Sequence, residues 1–131
     1  MNKICTSIEQ SQKLIELGID VNTANMDYIQ FANDPKVYDC VINIYNNEHE
    51  DDWIPAWSLS ALFSILPFDL IVDNRRYVFS MCKGFDKNGD TYAIKYAIFN
   101  TTFYLHLTDF YNNPVDAAFE MVVWLKESNK I

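Results

Sequence analysis

The sequence predicts an α+β fold: an antiparallel meander sheet with a long C-terminal helix packed on one face and two shorter helices. Three observations predict it. Residues 69–108 alternate apolar and polar side chains with period two, in successive runs broken by turn residues. Residues 113–128 are apolar around most of a helical circumference. Two earlier stretches, near residues 7–17 and 54–67, carry apolar residues at helical spacing. The chain has 131 residues, of which 50% are hydrophobic and 15% aromatic, enough for a real core. Without a linker, repeat or low-complexity stretch, this reads as a single α+β domain over residues 1–131.

The first helix is expected from about Ser7 to Leu17, with Thr6 and Ser7 both suited to the N-cap, Thr6 and Glu9 in the S/T-x-x-E capping pattern and Gly18 at the left-handed stop. Ile4, Ile8 and Ile15 share its apolar face, with Leu14 beside them. Met26–Phe31 and Val37–Tyr45 read as strands, separated by the turn signal Asn33-Asp34-Pro35. The second helical unit spans Ile54–Pro67. Leu59, Leu62, Phe63 and Leu66 fall at i, i+3, i+4 and i+7, Pro55 suits a helix entry or the turn before it, and Pro67 ends the helix. Trp53 and Trp57 flank its start as packing anchors or as a binding platform, and Trp57-Ser58 offers an exposed docking surface.

In the meander, Tyr77, Phe79, Met81, Tyr92, Ile94, Tyr96, Ile98, Phe103, Leu105 and Leu107 form the apolar face. Ser80, Ala93, Lys95, Ala97, Tyr104 and His106 form the other. Asp73-Asn74, Asp86-Lys87-Asn88-Gly89 and Asn100-Thr101 supply the turns. Asn113-Pro114 is an N-cap followed by Pro at the first helical position. Asp116, Glu120 and Glu127 are the polar stripe of the helix that follows.

The formal net charge of −8 is concentrated in residues 34–73, which carry Lys36 alone against eight acids. Residues 74–131 carry seven bases and six acids. The scarcity of cations makes direct nucleic-acid binding an unfavoured reading. Three glycines cannot form a G-x-G-x-x-G or Walker A loop. Asp86-Lys87-Asn88-Gly89-Asp90-Thr91 imitates a calcium loop. It has Thr91 where glycine is required and Ala97 where a bidentate glutamate is required, so it reads as a hairpin turn. Cys5, Cys40 and Cys82 are odd in number and widely spaced, without a C-x-x-C pair, so reduced thiols and no structural zinc are expected. The N-terminus lacks an apolar signal core and no run is long enough to span a bilayer, which predicts a cytoplasmic protein without membrane contact. No cofactor and no metal are expected.

Two residue groups are candidates for function. His106, Tyr104, Lys95 and Asp109 are the candidates for acid–base catalysis on the mixed sheet face. Glu48, His49, Glu50, Asp51 and Asp52, with Trp53 and Trp57, are the candidates for binding, as an acidic contact surface or a cation site.

Three stretches carry a resemblance. They are Ile4-Cys5-Thr6-Ser7-Ile8-Glu9-Gln10-Ser11 with Leu14-Ile15-Glu16-Leu17-Gly18-Ile19-Asp20, then Ile54-Pro55-Ala56-Trp57-Ser58-Leu59-Ser60-Ala61-Leu62 with Leu66-Pro67, then Asn113-Pro114-Val115-Asp116-Ala117-Ala118-Phe119-Glu120-Met121. Their order and spacing resemble a family of small uncharacterised proteins of Bacteroides-like gut bacteria, often in prophages or other mobile elements. The resemblance implies a bacterial mobile-element setting and carries no activity or site residue. Together these readings predict a small non-catalytic accessory or protein-interaction module that contacts a protein partner through the acidic middle segment. The alternatives are an enzyme of unrecognised type using the face around His106, an acidic nucleic-acid mimic, and a homo-oligomer held by an uncovered apolar patch.

Overall fold

The structure is a computed structural model that describes residues 3–30, 38–42 and 53–131. In chain order the elements are helix α1 (Ile8–Glu16), a 3-10 turn (Val21–Thr23), strands β1 (Met26–Gln30), β2 (Tyr38–Ile42) and β3 (Ile54–Ala56), helix α2 (Leu59–Ile65), strands β4 (Asp69–Val72), β5 (Arg75–Asp86), β6 (Gly89–Ala97) and β7 (Tyr104–Leu107), and helix α3 (Pro114–Glu127). The strands form two antiparallel sheets. One has three strands in the order β2-β1-β3 and the other is the meander β4-β5-β6-β7. The class is α+β, with the C-terminal helix packed on the larger sheet.

Of the two N-cap candidates Ser7 takes the role, and the capping box is Ser7–Gln10 rather than Thr6–Glu9. Ser7 Oγ accepts from the Gln10 N–H and Gln10 Oε1 accepts from the Ser7 N–H, which completes a capping box. Thr6 is freed for a different task. Its buried hydroxyl accepts from the Trp57 N–H at 3.0 Å and pairs with Ser11 Oγ at 2.8 Å, while its own N–H donates to the Trp57 carbonyl at 2.9 Å. This network turns Ser11 and Leu14 inward, so Ile4 and Ile15 are exposed rather than forming the apolar face. Thr6→Val keeps the shape but leaves Ser11 and the Trp57 N–H short of a partner in a dry site. The expected loss is about 2 kcal/mol of unfolding free energy, read by urea denaturation. After α1, Gly18 takes φ +86°, which a side chain would strain.

Ile54–Ala56, expected as the start of a helix, is instead an edge strand paired with Met26–Tyr28. Pro55 is tolerated there because an edge strand has one side that needs no ladder donor. The helix begins only at Leu59, capped by Ser58 Oγ on the Ala61 N–H. Leu62 and Leu66 are buried, Leu59 and Phe63 pack beside them, and Ala61 is buried too. Leu66 adopts extended backbone, as the residue before a proline must, and closes the helix.

The meander follows the alternation of the sequence through β6. Asp73 and Asn74 both have positive φ, 52° and 65°, which makes the two-residue turn whose twist matches the flanking strands. The Asp86–Gly89 hairpin is likewise a turn, with Asp86 Oδ1 accepting from the Asn88 N–H. The inner face carries Leu70, Tyr77, Phe79, Ile94 and Tyr96 into a core shared with α2 and α3. Phe63, Phe79 and Tyr96 form a chain of edge-to-face rings, with centroids 5.5 and 6.0 Å apart. α3 buries Val115, Ala117, Ala118, Met121, Val122 and Leu125. Its polar stripe is engaged rather than merely solvated. Asp116 accepts from Lys3 and Gln10, Glu120 from the Asp109 N–H and the Tyr111 hydroxyl, and Glu127 lies 3.9 Å from Lys13. Burial would raise the Asp116 carboxyl, but bonds from Lys3, Asn113 and Gln10 outweigh it and hold the group below the usual carboxylate range.

Candidate functional site

The last strand decides the fate of the acid–base candidates. Its register against β6 shifts between Tyr96 and Ala97. Tyr96 faces His106, Ala97 faces Tyr104, and Leu105 is the extra residue of a β-bulge. A bulge sets two consecutive side chains toward one side of the sheet. Leu105 and His106 therefore both lie on the inner side. Leu105 packs on the core and the His106 ring stacks on Trp124 of α3, with centroids 4.2 Å apart and planes 3° from parallel. His106 was expected on the outer face with Lys95, and Leu107 on the inner. The bulge reverses both, and Leu107 lies opposite Lys95.

The four candidates are thus not brought together. Tyr104 and Lys95 are on the outer face, His106 is on the inner, and Asp109 is exposed beyond the end of β7. Asp109 N–H donates to Glu120 Oε2 at 2.8 Å. Burial against Trp124 lowers the His106 pKa, and the charges of Glu120 and Asp109 act in the opposite direction. Glu120 also accepts from the Tyr111 hydroxyl at 3.1 Å. Burial, together with that carboxylate, pushes Tyr111 up to about 12. This packed polar node accounts for His106 as a side chain of the sheet–helix interface.

The binding candidates also separate. Glu48, His49, Glu50, Asp51 and Asp52 lie outside the described residues. Trp53 is half-buried. Trp57, expected on an exposed docking surface, is fully buried, and its indole N–H donates to Thr23 Oγ1 at 2.9 Å. Trp57 closes the gap between α1, the 3-10 turn and α2, which is a core role.

What the outer face of the larger sheet does offer is a groove. Val78, Ser80, Lys95, Ala97 and Phe99 line a concavity of about 360 Å³. An adjoining one of about 270 Å³ is bounded by Phe68, Arg76, Val78 and Phe99. Ser80 lies opposite Lys95 and Val78 opposite Ala97, so the floor is the β5–β6 ladder. The rim is large and apolar: Phe99 is 75% exposed and Phe68 70%. The two cations of this face differ. Arg76 Nε donates to Asp69 Oδ2 at 2.6 Å, and its guanidinium lies over the Phe68 ring. Lys95 is half-buried on the groove floor, and among the described residues no carboxylate lies within ion-pair distance of it. Alternation along the strands places Ser80, Lys95 and Ala97 here. Phe68 and Phe99 lie outside the strands, where alternation says nothing about direction, and sequence reasoning missed them.

Among the described residues no group of three or more His, Cys, Asp or Glu side chains could hold a metal ion. No helix among them is long and apolar enough to cross a membrane. Fold and groove together define an α+β domain with one sheet face covered by a helix and the other open around an aromatic-rimmed groove. Compared with known proteins, the chain matches no family model, no curated protein and no solved structure.

Proposed function

We propose that the protein is a non-catalytic protein-interaction module, a cytoplasmic accessory protein of a bacterial mobile element. Its docking surface is the outer face of the β4–β7 sheet. The partner is an extended segment of another protein that combines bulky apolar side chains with a carboxylate. One observation carries this reading: a half-buried lysine, Lys95, on the floor of a groove rimmed by Phe68 and Phe99, with no carboxylate of the described chain to pair it. A cation on a groove floor selects a partner that brings a carboxylate, and exposed aromatic side chains are the usual anchors of protein contacts. A second copy of the chain suits the face less well. Two such grooves pressed together would bring Lys95 toward its equivalent, within a dimer whose protomers each carry −8. The separation of His106 from Lys95 and Tyr104 supports a binding role over the enzyme alternative.

Selection from a random 12-residue peptide library on the immobilised protein tests this reading. Enriched peptides should pair aromatic residues with Asp or Glu. Lys95→Glu and Phe99→Ser should each weaken their binding by at least about tenfold. Neither side chain belongs to the core cluster, so the thermal melts should stay near that of the parent. Failure to enrich, or peptides indifferent to both substitutions, contradicts the proposal. Sedimentation as a dimer that Phe99→Ser dissociates would assign the face to a second copy and contradict it as well.

A further inference from the structure

We propose that Cys5 and Cys40 are a dithiol site that undergoes thiol–disulfide exchange with low-molecular-weight disulfides of the oxidised-glutathione type, closing a reversible Cys5–Cys40 bond. The two cysteines are 35 positions apart, and the fold brings their sulfurs to 2.7 Å. Cys5 reaches this place through its bridge to Ser58, which lays the segment before α1 beside the three-stranded sheet. Cys40 reaches it from β2, opposite Tyr28 of β1. Around them Met26, Ala56 and Tyr28 form a small apolar cluster separate from the main core. Cys5 is buried within it and Cys40 is half-buried. Cβ atoms that hold two sulfurs this close are within reach of a disulfide with little backbone movement.

The surroundings favour a thiolate. A hydrogen bond with the Cys40 thiol lowers the Cys5 thiol to about 7, against the opposing effect of burial. The Tyr28 hydroxyl and the Lys3 charge add to the lowering. The Cys5 thiol lies 3.5 Å from Tyr28 Oη, which donates to the Thr6 carbonyl at 2.7 Å. Cys82 lies on β5, in the other sheet, opposite Ala93.

The exchange balances as follows. Cys40, the more accessible sulfur, passes its proton to the Cys5 thiolate 2.7 Å away, attacks R–S–S–R, forms Cys40–S–S–R and expels R–S⁻, which takes up a proton. Cys5, deprotonated in turn, attacks Cys40 Sγ, forms the intramolecular disulfide and expels the second R–S⁻, which is also protonated. Two protein thiols are oxidised and one small disulfide is reduced to two thiols. The new bond would tie the N-terminal segment to β2, the edge strand of its sheet.

The reduced full-length protein is incubated with oxidised glutathione at neutral pH, quenched with N-ethylmaleimide, digested and mapped by mass spectrometry. A linked Cys5–Cys40 peptide pair with Cys82 alkylated is expected. Three alkylated cysteines, or a link involving Cys82, overturns the proposal. In Cys5→Ser, a glutathione adduct on Cys40 should accumulate because the resolving thiolate is gone. No such adduct, or one cleared as fast as in the parent, overturns the two-step exchange through this pair.

Discussion

Trp57→Ala is expected to lower the unfolding free energy by about 3–5 kcal/mol, enough to unfold much of a domain of ordinary stability. The indole is fully buried in the main cluster with Leu14, Ile19 and Leu62. Its backbone ties two segments together, since its N–H and C=O both bond to Thr6, and its indole N–H donates to Thr23 Oγ1. Removing the ring leaves a cavity at the junction of α1, the 3-10 turn and α2, where three backbone segments are fixed and cannot collapse inward. Trp57→Phe keeps most of the buried area and should cost about 1–2 kcal/mol, because Thr23 is exposed and water can replace the lost donor. Urea denaturation followed by circular dichroism reads both values. A change below about 0.5 kcal/mol for Trp57→Ala would be the behaviour of a surface residue and would contradict the core assignment.

Tyr96→Ala should cost a comparable amount, about 3–5 kcal/mol. Tyr96 is fully buried at the centre of the inner sheet face, edge-on to Phe79, and its hydroxyl donates to the Pro67 carbonyl at 2.6 Å. It joins the sheet to the point where α2 ends. Tyr96→Phe separates packing from hydrogen bonding. The ring contacts survive, the Pro67 carbonyl loses its donor, and about 1–2 kcal/mol is lost. Burial raises the Tyr96 pKa above the ordinary tyrosine value of 10.0. The folded chain therefore keeps a proton that the unfolded chain releases above that pH. The Tyr96 contribution is fully present below pH 10.0 and is lost as pH rises beyond it. Melting temperatures of the parent protein should fall more steeply above that pH than those of Tyr96→Phe. Parallel curves would show that the hydroxyl is not held in a dry site.

The legible parts of the fold were those set by local chemistry. Period-two alternation and the Asp73-Asn74 turn specify the β4–β5–β6 ladder, and Asn113-Pro114 specifies the start of α3. The errors arose where two local solutions were nearly equivalent or where a long-range contact decided. Thr6…Glu9 and Ser7…Gln10 have the same capping spacing, and the second wins because Trp57 claims Thr6. Ile54-Pro55-Ala56 is too short to show a period, and its pairing with β1 is what makes it a strand. A single extra residue, Leu105, carries His106 through the sheet to Trp124, and nothing in the alternation of Tyr104–Leu107 marks it. The Cys5–Cys40 contact depends on two strands and a bridge, so a count of cysteines with wide spacing conceals it. Of the groove, Ser80, Lys95 and Ala97 were readable as a mixed face, whereas Phe68 and Phe99, which make it a groove, were not.

The central claim is that the open sheet face, and not the His106 side or the Trp57 region, is the working surface. Backbone chemical-shift mapping of the isotope-labelled protein, titrated with a peptide from the library selection, tests it most directly. The predicted result is perturbation centred on Val78, Ser80, Lys95, Ala97 and Phe99, with His106 and Trp124 little changed. Perturbation centred on His106, Asp109 and Trp124, or on Trp53 and the residues beside it, would contradict the account.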